Sequence, residues 1–191
     1  MIDTGVPEVT AKLALMPDFM DPLHLIGSFG TLALVGILVV VFVESGVLFP
    51  VLPGDSLLFV AGMLAAGTAA EASEAAQANF KLWQLVVFIP IAAILGGQVG
   101  YIIGRTVGTS MFKPDARILK QKYLDAAHTF FELRGPFAIV IARFVPIVRT
   151  LAPLVAGAAR MRYAVFSFYN ILGALIWGAG LVLLGYWLGS F

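Results

Sequence analysis

The chain has 191 residues, 60% hydrophobic and only 12% charged, with a mean hydropathy of +0.97. This composition excludes a soluble globular domain and points to an all-α polytopic integral membrane protein. With 12 basic and 11 acidic residues there is no global field to bind nucleic acid, and the absence of cysteine excludes disulfides, thiolate metal sites and a cysteine nucleophile. The two histidines, His24 and His128, are far apart and unaccompanied, so neither a metal site nor a cofactor is expected.

Residues 1–27 are mixed in character, with Asp18, Asp21 and two prolines near their end, and read as an interfacial or loosely ordered N-terminal arm. Their start, with Asp3, Glu8 and a single Lys12, lacks the basic region and apolar core of a signal peptide. Residues 28–191 read as one membrane domain. An uncharged run ends at Glu44, and Pro50 and Pro53-Gly54-Asp55 then break the helix. A second uncharged run over 56–70 is short for a crossing, which takes about 20 residues. Residues 28–70 are therefore expected to form a re-entrant hairpin, permitted at membrane depth only where protein or water satisfies the open backbone.

A polar loop over 71–81 leads to a transmembrane helix over 82–107, where Gly96, Gly100, Gly104 and Gly108 recur every four residues as a close-packing ridge. Residues 105–134 hold six basic residues: Arg105, Lys113, Arg117, Lys120, Lys122 and Arg134. Their excess places the amphipathic connector 108–134 on the cytoplasmic side. Residues 135–159 form a second broken segment, carrying Arg143 and Arg149 and interrupted by Pro146 and Pro153. The last transmembrane helix is expected over 163–189, with Trp177, Tyr186 and Trp187 near a membrane interface. Each half thus runs broken hairpin, polar connector, full helix. With one net crossing per half, the second must be inverted relative to the first, an arrangement common in secondary transporters.

Four charges stand out against this apolar background. A charge at the bilayer centre costs roughly 2.5–3.5 kcal/mol on insertion scales, so such charges are usually paired and functional. Hairpins entering from opposite faces would bring Glu44 and Asp55 to Arg143 and Arg149, with both guanidinium forks facing one cavity. Each fork suits bidentate contact with phosphate or carboxylate. Half-helix N-termini near Asp55 and Pro153 would add free N–H groups. The two acids can take up a proton. Desolvation favours their neutral form and a neighbouring arginine the charged one, which suits a proton-coupling role. Pro53, Gly54, Pro146, Thr150, Pro153 and Gly157 are read as structural residues of the hairpin tips, and Asn170 as a supporting polar group. The plainer alternative is an ion-pair cluster fastening the hairpins together, although buried pairs often stabilise little.

Three stretches carry a resemblance: FVESGVLFPVLPGDSLLFVAG (42–62), GGQVGYIIGRTVG (96–108) and ARFVPIVRTLAPLVAGAARMRYAVFSFYNILGALIW (142–177). On them the chain resembles the DedA family, the bacterial branch of the VTT-domain (SNARE-associated Golgi) membrane proteins, over most of residues 30–180. The resemblance implies a multi-pass protein of the bacterial cytoplasmic membrane that returns the lipid carrier undecaprenyl phosphate to the cytoplasmic face. It also implies that Glu44, Asp55, Arg143 and Arg149 are essential. The expected activity is transport and not catalysis, with the arginines on the phosphate head and the acids carrying protons. The expected partners are this polyprenyl phosphate, protons and membrane lipids, and homo-oligomerisation is left open. An alternative is a proton-dependent antiporter of small cations or drugs, in which the acids bind substrate. A third is a scaffold that recruits envelope enzymes through the 105–134 surface.

Overall fold

The structure, a computed structural model, describes residues 22–29, 32–46, 53–67, 80–107, 129 and 135–191. All regular structure among them is helical. In chain order the elements are α1 (Pro22–Phe29), α2 (Ala33–Gly46), α3 (Gly54–Ala65) and α4 (Leu82–Val107). A single 3-10 turn (Gly135–Phe137), α5 (Ala138–Ala142), α6 (Pro146–Ala158) and α7 (Tyr163–Ala174) follow. A π-helical turn (Leu175–Ala179) then joins α7 to α8 (Gly180–Gly189). The connector 108–134, Thr129 apart, lies outside the described residues, as do Gly108 and His128. Helix α1 runs across the boundary placed at residue 27, and its Ile26 is fully buried in the core.

Two stretches are long and apolar enough to cross a membrane: α4, with 26 residues, and the continuous run Tyr163–Gly189, with 27. At 1.5 Å per residue each reaches about 40 Å, ample for a hydrocarbon core of about 30 Å. Less than half of either is buried, unlike the core helix of a soluble protein. Their outward faces carry Val87, Ile91, Leu95 and Ile102 on α4 and Ile171, Leu175, Leu183 and Leu188 on the other. Apolar surface of that extent would be an aggregation liability in water and is the expected coat in lipid. Helices α2, α3 and α6 have 14, 12 and 13 residues. At about 20 Å each they are too short to span alone.

The packing crosses between the halves. Helix α3 lies along α8, and α6 lies along α4. Glycines make both crossings tight. A β-carbon at Gly62 would collide with the Val182 carbonyl, and one at Gly185 with the Phe59 carbonyl. In the other pair, Gly104 faces the Leu154 carbonyl and Gly157 the Tyr101 carbonyl, with no room for a methyl group. The expected glycine ridge is therefore a packing surface with two users. Gly96 receives α2 at Phe42 and Ser45, Gly104 receives α6 at Leu154, and Gly100 faces both, α2 at Gly46 and α6 at Pro153. Close backbone approach of this kind is how helices associate when lipid removes the hydrophobic drive between them.

A substitution pair tests this packing. Gly104→Ala should destabilise the purified protein by about 1–3 kcal/mol, the usual cost of overpacking. Gly180→Ala, where nothing lies within 4 Å of the added carbon, should be neutral or slightly stabilising. Thermal unfolding in detergent compares the two directly.

Candidate functional site

Four helix ends meet inside the bundle. Glu44 stands in the last turn of α2, and Asp55 in the first turn of α3. Gly54 opens α3 directly beneath the Glu44 carboxylate, where a β-carbon would overlap Glu44 Oε2. Arg149 lies in the first turn of α6, its amide donating to the Val145 carbonyl at 2.8 Å. Pro146 begins that helix, where its missing N–H is no loss. Arg143 closes α5, its amide donating to the Val140 carbonyl at 3.2 Å. Between the two helices, Phe144 and Val145 leave the helical path, and this break separates the arginines.

Arg149 is the hub. Its Nη1 donates to Asp55 Oδ1 at 2.6 Å and its Nη2 to Glu44 Oε1, so one guanidinium bridges both acids. Its face lies over the Trp177 ring, 4.5 Å from the centroid, a cation–π contact strengthened by the scarcity of solvent. Trp177 Nε1 donates to the same Asp55 Oδ1 at 2.9 Å. Arg149, Glu44 and Trp177 are each 3% exposed, whereas the Asp55 side chain is 43% exposed.

Arg143 is held differently. Its Nη2 donates to Asn170 Oδ1 at 2.6 Å and to the Ala93 carbonyl at 3.2 Å. Asn170 in turn donates to the Ile94 carbonyl at 3.2 Å. Glycines make this seat possible: a β-carbon at Gly97 would strike Asn170 Oδ1, and one at Gly173 would crowd Arg143 Cδ. Arg143 is 4% exposed and forms no ion pair among the described residues. Its Nη1, like Arg149 Nε, has no hydrogen-bond partner among them.

The acids and Arg149 therefore converge as the pattern predicts, but Arg143 stands apart from the carboxylates. The cleft that reaches the site, about 350 Å³, is lined by Asp55, Phe144, Ile176, Trp177, Leu181 and neighbouring residues, and by neither arginine. The half-helix N-terminus beside the site begins at Pro146, not at Pro153, which is buried inside α6. Thr150 is buried one residue after Arg149. Pro53 precedes α3, its carbonyl accepting from Leu57 N at 2.9 Å, and Gly157 serves the α4 crossing. Trp177, expected at a membrane interface, is instead a wall of the site. The π-helical turn that carries it leaves no one-dimensional signal. Gly97 and Gly173 were also not expected here; only their place near polar Gln98 and Asn170 hints at it. No group of three metal-binding side chains occurs among the described residues.

The VTT domain family matches residues 49–187, a stretch that holds Asp55, Arg143, Arg149, Asn170 and Trp177. The chain is also 43% identical to the protein DedA of Escherichia coli K12 over 169 residues, covering 87% of this chain and 74% of that one. The chain belongs to the DedA family of VTT-domain membrane proteins. An uncharacterized membrane protein of Mycobacterium tuberculosis is 43% identical over 186 residues, or 95% of this chain and 78% of that relative. The inner membrane protein YqjA of E. coli K12 is 37% identical over 154 residues, or 80% of this chain and 66% of YqjA. No solved structure matches this DedA-family chain.

The Arg143 seat makes a quantitative prediction. Asn170→Ala removes a hydrogen bond to a buried charge and should cost about 1.5–3 kcal/mol in unfolding free energy. A double-mutant cycle with Arg143→Met should show coupling of at least about 0.5 kcal/mol, whereas the cycle of Asn170→Ala with Glu44→Gln should be near additive.

Proposed function

We propose that the chain is a transporter that carries the phosphate head of undecaprenyl phosphate across the bacterial cytoplasmic membrane towards the cytoplasmic face, with proton coupling. The observation that carries this reading is the buried, donor-rich Arg143, which has an unused Nη1 and no carboxylate partner among the described residues. A guanidinium so placed has unfilled capacity for an anionic oxygen. The two acids and two arginines together sum to zero when all are ionised. Protonation of one acid leaves the cluster one positive charge in excess, which a phosphate monoanion cancels. Loss of that proton returns the acid to Arg149 and displaces the head.

The energetics favour such coupling. Moving an anion inward against an inside-negative potential costs about 2.3 kcal/mol per charge per 100 mV, and a co-transported proton removes that term. The polyprenyl tail stays in lipid while only the head moves. On this reading α2–α3 and α5–α6 are re-entrant hairpins that enter from opposite faces as halves of an inverted repeat, and rocking of the hairpins gives alternating access. The reciprocal packing of α3 on α8 and α6 on α4 supports that symmetry.

One observation favours a second reading. The group exposed in the apolar cleft is the carboxylate of Asp55, beside Trp177 and Phe144. A lipophilic cation would find a counter-charge and aromatic walls there, as a proton-dependent antiporter of small cations or drugs requires. Ligand protection separates the two. Undecaprenyl phosphate should raise the unfolding temperature of the purified protein and lipophilic cations should not; the reverse result supports the antiporter.

Reconstitution tests transport itself. In liposomes, translocation of labelled undecaprenyl phosphate should respond to an imposed pH gradient. Arg143→Ala and Arg149→Ala should abolish binding of this lipid. Glu44→Gln should bind it but lose the dependence of transport on pH. Full binding by both alanine variants would remove the arginines from the head-group site.

A further inference from the structure

We propose that Trp177 is a third donor to the anionic head group, and that its indole N–H and the Arg149 fork transfer together from Asp55 to a phosphate oxygen. This rests on the reading of the site as a phosphate-lipid carrier. The argument begins with one atom. Asp55 Oδ1 accepts from Arg149 Nη1 at 2.6 Å and from Trp177 Nε1 at 2.9 Å. Two donors from different helices thus converge on one anionic oxygen, and a phosphate oxygen is likewise an anionic acceptor able to take both donors. Asp55 acts as the internal stand-in for the ligand.

Access points the same way. Trp177 and Asp55 both line the cleft, whereas neither Arg143 nor Arg149 does. The rest of the lining named above is apolar, which suits the first units of an isoprenoid tail next to the head. A phosphate entering by this route meets the indole and Asp55 before either guanidinium. Because Arg149 stacks on the indole face, the two side chains form one cationic, donor-bearing surface.

The backbone beneath Trp177 is also exceptional. Trp177 is the central residue of the π-helical turn Leu175–Ala179, and its neighbour Gly178 packs against Ile89 and Pro90, the proline inside α4. The π-helical turn thus packs beside the one proline within α4. Single π-helical turns within α-helices occur frequently at functional sites. Here the wide turn carries the indole that faces Asp55. Ordinary core packing requires neither the wide turn nor a shared acceptor.

The experiment uses the full chain in detergent. The three tryptophans are Trp83, Trp177 and Trp187, so a Trp83→Phe, Trp187→Phe background leaves Trp177 as the sole indole. Its emission should shift on addition of undecaprenyl phosphate and stay unchanged with undecaprenol, which lacks the anion. Trp177→Phe in the natural background keeps a ring for Arg149 and loses the N–H. Without ligand, water can replace the indole N–H at the 43% exposed Asp55, so the variant should unfold within a few degrees of the parent; a phosphate filling the cleft excludes that water, so the variant should bind the phosphate lipid about tenfold or more weakly, as expected for a lost hydrogen bond to a charged group. Equal affinity of Trp177→Phe and parent, with unmoved emission, overturns the role of Trp177. If Arg149→Ala still abolishes binding in that case, the carrier reading stands without it. If the parent shows no protection by the phosphate lipid, the carrier reading and this assignment fall together.

Discussion

One guanidinium ties the two halves of this chain together. Arg149 reaches from the first turn of α6 to the end of α2 and the start of α3, and holds an acid from each. The helices that bring these groups together are too short to cross a bilayer, and Arg149 and Glu44 are buried, where solvent cannot screen or replace their contact. A buried pair of this kind adds little net stability, because desolvation offsets attraction. Removing one member is far more costly, since it strands a charge. The arrangement therefore specifies which helix ends meet more than it adds strength.

Tight glycine crossings make that meeting possible. Backbone carbonyls of Phe59, Tyr101, Leu154 and Val182 occupy the space where a side chain would otherwise sit on the opposing helix. At the site the same device has a chemical purpose. Gly54 admits the Glu44 carboxylate, Gly97 admits Asn170, and Gly173 admits the Arg143 stem. Long polar side chains are thereby admitted between closely packed helices, and the scaffold and the site use the same small-residue chemistry.

The charges divide into two functional environments. Arg149 is engaged by two carboxylates and an aromatic face, whereas Arg143 is supported by an amide and a backbone carbonyl. Neutral ligands orient a guanidinium without cancelling its charge. One cation is thus neutralised by carboxylates and the other is not, with Asp55 the exposed partner of Arg149. This asymmetry is the physical basis for proposing a carrier that exchanges an internal carboxylate for a phosphate.

Much of this was legible in the chain itself. Scarce charge and long apolar runs establish a helical membrane protein, and the Pro53-Gly54-Asp55 and Pro146 breaks mark where the helices α3 and α6 begin. These are one-dimensional quantities, set by composition, length and backbone chemistry. Glu44, Asp55, Arg143 and Arg149 stood out because a charge in an apolar run is expensive wherever the run folds. The sequence alone could not divide the arginines between two sets of partners, because Asn170 and the Ala93 carbonyl approach Arg143 only when α4, α5 and α7 pack together. Nor could it move Trp177 from an interface to the wall of the site, since that depends on a π-helical turn and on the rotation of a long helix against its neighbours. Convergence of side chains from separate helices is a property of packing, and only the tertiary structure decided it.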